Sequence, residues 1–119
     1  MKIKTTKVHY KIFKDMCKHL QKRFNLLDWS LDFEHKKLES AVAESFWSLE
    51  HRSCILRLST MIDQDSSDVE NYIKKCARHE MTHLLLAKLD GLAKSRSVKI
   101  EDICAEIEGI CMLFETFDI

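Results

Sequence analysis

Cys76-Ala77-Arg78-His79-Glu80-Met81-Thr82-His83-Leu84-Leu85-Leu86 is the stretch on which the reading of this chain turns. Val69, Ile73, Cys76, Ala77, Leu84 and Ala87 recur around it at helical spacing and predict a helix over about 68–88. Ser67 with Glu70 three residues later has the form of a capping box at its start, and Asp90-Gly91 supplies a stop. Residues four apart share a helix face, so the imidazoles of His79 and His83 reach one point while Glu80 sits at its edge.

Histidines one turn apart around a glutamate form the HExxH pattern, whose chemistry is that of zinc. A catalytic zinc takes three protein ligands and keeps one position for water. The bound water falls to a pKa of about 7, and a neighbouring carboxylate can take its proton and later deliver it to a leaving amine. His79 and His83 are therefore candidate Zn2+ ligands and Glu80 the candidate acid/base. Met81, Leu84, Leu85, Leu86 and Ala87 make this the most apolar helical segment, and polar groups in a buried helix must be paired or coordinated.

The third ligand is sought in a last helix, predicted from about Val98 to Phe117. There Ile100, Ile103, Ile107, Ile110 and Phe114 share a face bordered by Cys104 and Cys111. Glu101 and Glu108, nearly superposed, flank that face, whereas Asp102 lies on the solvent side and Glu106 on the other border. A ligand belongs at the margin of the core. Glu101 leaves room after His83 for the chain to turn and return, and Glu108 is the alternative. The glutamate not used can hydrogen-bond a ligand histidine and fix its tautomer. His35, His51 and Arg52 are candidate donors to an oxyanion, though surface roles are more usual. Cys76 and Tyr72 are read as packed helix residues.

Ahead of this region, Val8, Ile12, Met16, Leu20 and Phe24 recur every four residues and predict a helix over about 6–25, with Lys7, Lys11, Lys14 and Lys18 opposite. That basic stripe suits a solvated face better than a nucleic-acid contact. Alternating runs such as Trp29, Leu31, Phe33 and Cys54, Leu56, Leu58 predict strands near 29–35, 41–49 and 52–59, with hairpin connections at Lys36–Ser40 and Glu50–His51. The expected fold is α+β: an N-terminal helix, a small, about three-stranded, mainly antiparallel sheet, the HExxH helix and a C-terminal helix.

The 119 residues, 45% of them hydrophobic and none proline, fit one domain over 1–119 with a modest core and a shallow groove. Five cysteines without a CxxC pair suggest reduced thiols. No apolar run has signal or membrane length, which points to a soluble cytoplasmic protein. Net charge is zero, yet residues 1–23 are basic and 100–119 acidic, a polarity that can orient a partner or a second copy.

Cys76 to Leu86, with Glu101-Asp102 and Ile107-Glu108 downstream, resembles the active-site helix of the zincin metallopeptidases, in particular small phage-type, gluzincin-like members. The likeness covers roughly residues 70–112. It implies a short sheet packed on two long helices, zinc held by His79, His83 and a glutamate, and Glu80 as general base. Gluzincin spacing would put that glutamate at Asp102 or Ile103 rather than Glu101. The HExxHxxGxxH continuation of metzincins is absent. His-Glu-Met-x-His is also similar to the SprT-like core, but no histidine follows His83. The expected function is zinc-dependent hydrolysis of a protein or peptide. The alternative is a non-catalytic zinc-containing interaction module, with nucleic-acid contact through the first helix.

Overall fold

The structure, a computed structural model, describes residues 2–63, 68–95 and 99–114. Thr6 opens helix α1 (Lys7–Arg23) through a capping box: its Oγ1 accepts from the His9 amide and its own amide donates to His9 Nδ1 at 3.0 Å. Asn25, at φ 56°, closes the helix in a left-handed conformation, and the Leu26 amide reaches back to the Gln21 carbonyl at 2.8 Å. The buried row is Phe13, Cys17, Leu20 and Phe24, whereas Val8 is exposed. The face is therefore rotated from the one that spacing alone selects, because Phe13 and Cys17 pack between sheet and helix.

The three expected strands are β2 (Ser30–His35), β3 (Ala43–Ser48) and β4 (Ser53–Leu58), flanked by β1 (Lys2–Lys4) and β5 (Met61–Asp63). β1 and β5 form a two-stranded antiparallel sheet, short enough to leave no periodic signal. The main sheet has the order β2-β4-β3, with β2 parallel and β3 antiparallel to β4. Residues 36–42 therefore cross from one edge of the sheet to the other and are not the hairpin expected at Lys36–Ser40. The β3–β4 hairpin is where it was predicted, and Arg52 at φ 50° supplies its left-handed residue. The fold is α+β with small, mainly antiparallel sheets.

Register stacks Leu31/Cys54/Trp47, Phe33/Leu56/Ser45 and His35/Leu58/Ala43 on one face. On that face lie α1, with Phe13 edge-on to Phe33, and helix α2 (Val69–Lys94), which contributes Ile73, Ala77, Met81, Leu84, Leu85 and Ala87 to a common core. The other face carries Arg57 between Glu34 and Glu44, at 2.6 and 3.1 Å, with its guanidinium over the Phe46 ring.

Asp68 caps α2 by accepting from the Asn71 amide at 3.1 Å, whereas Ser67, expected in that role, lies outside the described residues. The helix does not stop at Asp90-Gly91 but runs through it to Lys94. Glycine serves close packing here: a Cβ on Gly91 would sit 2.5 Å from Leu49 Cδ1. Helix α3 (Ile100–Phe114) lies within the predicted span, whose ends at Val98 and 115–117 are outside the described residues. Among the described residues no helix is long and apolar enough to cross a membrane.

Candidate metal centre

Helix α2 presents His79 and His83 on its exposed side, and their Nε2 atoms converge to 3.2 Å with the rings near perpendicular. Two nitrogens bound tetrahedrally to zinc at 2.0–2.1 Å would stand about 3.3–3.4 Å apart. At that separation the two Nε2 atoms share a hydrogen bond, and the spacing is close to that of two histidines on one zinc. Two imidazoles one turn apart supply two of the three protein ligands that a catalytic zinc takes.

Glu80, next to His79 on the helix, lies in the seam between α2 and β3 and is only 8% exposed. Ser45 on β3 donates its hydroxyl to Glu80 Oε1 at 3.0 Å, which satisfies one carboxylate oxygen of a group that would otherwise be costly to bury. Two residues along the same strand, Trp47 stacks on His83 with centroids 6.2 Å apart and planes at 19°. Ala43, on the same face, joins Val42, Cys76, His79 and Glu80 around a hollow of about 200 Å³. Alternate residues of β3 therefore form the wall opposite the HExxH turn.

Sequence reasoning missed Ser45 and Trp47. The available signal was the alternation Ala43, Ser45, Trp47, in which a lone hydroxyl occupies the inward row of a strand.

The glutamates predicted as third ligand are elsewhere. Glu101 and Glu108 are exposed on α3, whose docked residues Glu106, Ile110 and Leu113 face Leu84, Leu85 and Lys88 rather than the histidines. Glu106 pairs with Lys88 at 3.5 Å. Among the described residues no third His, Cys, Asp or Glu joins His79 and His83 in a metal-holding group. Cys76 reaches the same hollow, but burial pushes its thiol pKa up, which opposes thiolate formation.

The oxyanion candidates have other engagements. His35 contacts Thr5 Oγ1 at 2.7 Å and stacks on Tyr10. His51 is exposed in the β3–β4 turn, and Arg52 pairs with Asp28 at 3.5 Å and covers the Trp29 ring. In the basic stripe, Lys11 pairs with Asp15 at 2.7 Å, Lys14 lies over Tyr10 and Lys18 over Phe33. All five cysteines are free thiols; Cys17 and Cys54 are buried, with the Cys54 pKa pushed up to about 11 by desolvation.

The chain matches no known family model, no curated protein and no solved structure.

Proposed function

We propose that this chain is a zinc-dependent peptidase in which His79 and His83 hold the ion and Glu80 acts as general base and acid. One observation carries the reading: two Nε2 atoms converge at 3.2 Å beside a buried carboxylate that a hydroxyl from the opposite strand already holds by one oxygen. Zinc held by His79 and His83 would supply polarisation of the scissile carbonyl and a more acidic water. Glu80 accepts the proton of the attacking water at the oxygen Ser45 does not hold and returns it to the leaving nitrogen. Trp47 stacks on the His83 ring from the facing strand. β3 is an outer strand of its sheet, so an extended peptide can add beside it by main-chain hydrogen bonds. Glu101 and Glu108 do not enter the proposal, since both are exposed outside any three-ligand group.

The test is zinc content per chain alongside hydrolysis of an unstructured protein. Zinc should be close to stoichiometric in the parent, Glu80→Gln, Glu101→Ala and Glu108→Ala proteins and lost in His83→Ala. Hydrolysis should fall by about 10²–10⁴-fold in Glu80→Gln. Absence of zinc after reconstitution, or undiminished hydrolysis by Glu80→Gln, overturns the reading. Zinc retention without hydrolysis in the parent would instead favour the non-catalytic interaction module.

A further inference from the structure

Among the described residues, helix α3 has more apolar surface than the fold covers. Its inward row is Ile103, Glu106, Ile110 and Leu113, all half-buried, and no residue of the helix is fully buried. Beside that row runs a second, Ile100, Cys104, Ile107 and Cys111, all exposed, with Ile100 at 79% and Ile107 at 45%. Phe114 continues the row and closes its end against Phe24, at a centroid distance of 6.5 Å. Steps of four, three, four and three residues are the spacing by which one helix seats another, knobs into holes. A solvated helix face has no reason to keep that register with apolar residues at every position.

The charges flanking this seam are one-sided. Residues 100–114 hold Glu101, Asp102, Glu106 and Glu108 and no lysine or arginine. Seven residues apart, Glu101 and Glu108 stack along the open side of the seam, and Ile103 and Ile110 occupy its other side against the body of the protein. We infer that this seam docks an amphipathic helix of a partner protein, with an apolar stripe set into Ile100, Cys104, Ile107 and Cys111 and lysines or arginines facing Glu101 and Glu108. A second copy of α3 does not fit. Antiparallel pairing sets the Glu101–Glu108 rows against each other, and parallel pairing needs the side that Ile103 and Ile110 already use. The lysine face of α1 on a second copy brings only Val8 as an exposed large apolar residue on that helix. The inference is independent of any metal.

The probe is a three-heptad synthetic helix with leucine and isoleucine at the seam positions and lysine at the flanking ones, compared with the same peptide carrying glutamate there. Binding to the full chain is measured by fluorescence anisotropy. The lysine peptide should bind at least 10-fold more tightly than the glutamate peptide. Ile107→Asp should abolish binding with the far-UV circular dichroism unchanged, and Glu101→Lys with Glu108→Lys should invert the preference. Equal binding of both peptides, no binding of either, or indifference to Ile107→Asp overturns the inference. So does a dimer in sedimentation that Ile107→Asp converts to monomer, since the seam would then belong to a second copy.

Discussion

Ser45 and Glu80 meet across the α2–β3 seam, and their bond gives the carboxylate two unlike oxygens, one held and one available. Ser45→Ala should leave zinc content unchanged and lower the rate of the proposed hydrolysis by roughly 10-fold, the loss of about one modest hydrogen bond in the transition state. Ser45→Thr, which keeps the hydroxyl, should recover most of it; equal rates in all three proteins would make Ser45 a packing residue only. His35 carries a different kind of consequence. Thr5 Oγ1 donates to the Ser59 carbonyl at 2.6 Å, so it accepts from His35 at 2.7 Å and places the imidazole proton on Nε2. Burial, and secondly the charge of His9, holds the His35 pKa below its ordinary value of 6.5. The unfolded chain therefore takes up a proton that the folded chain resists. This contribution to stability is complete above the unfolded pKa and is lost as pH falls through that value towards the folded one. Urea unfolding of the parent should show a midpoint that drops between pH 7.5 and 5.5, and His35→Gln should shrink that drop. An unchanged pH dependence in the variant would remove His35 as its source.

At the scale of elements, the two glycines separate packing from propensity. A Cβ at Gly109 meets open space, so Gly109→Ala should stabilise by about 0.5–1 kcal/mol through helix propensity. The same change at Gly91 makes Leu49 Cδ1, the tip of a half-buried side chain, shift and should yield a smaller gain, whereas in a Leu49→Ala background it should recover about 0.5–1 kcal/mol. Urea titrations of the four variants decide this; identical gains at both glycines would deny the Leu49 contact. Gly91 also explains why the end of α2 was illegible: glycine as a stop and glycine as a close approach look the same in a sequence. The helices and three strands were legible because periodicity reports which residues share a face. Periodicity does not report which strand is a neighbour, so the parallel β2–β4 pairing and the crossover at 36–42 were hidden. Nor does it say which part of a broad apolar arc is used. The docked and exposed rows of α3 together span about half its circumference, and the sequence spacing centred the buried face one row away from where it docks. Glu101 and Glu108 follow from that rotation: at the core margin on the expected face, they lie at the margin of an exposed seam on the observed one. His79 and His83 were legible because i and i+4 suffice to bring two side chains together within one element. Ser45 and Trp47 come from another element, and only tertiary structure brings them to the histidines.

The whole molecule divides by depth. Phe13, Leu56, Leu58, Ile73, Met81 and Leu84, contributed by α1, β4 and α2, are almost wholly buried, and they bind the HExxH turn to the sheet in one cluster. Helix α3 attaches to that body through half-buried side chains, a groove beside Phe24, Leu84 and Leu85, and the Lys88–Glu106 pair, whose ions are partly solvated and contribute little. Burial of apolar area sets how much free energy a local opening must supply, so α3 can separate without disturbing the core, whereas the histidine turn cannot. Native-state hydrogen exchange should accordingly find the amides of α3 exchanging at least 10-fold faster than those of α1, β4 and the stretch 77–85. The slow group should converge on the global unfolding free energy measured with urea. Equal protection in α3 and α1 would make them one cooperative unit and contradict the layering. A lysine-flanked helix seated on Ile100 and Ile107 should slow exchange in α3 and, by the same free energy, in the slow group, because every opening that loses the seam, global unfolding included, must first release the bound helix.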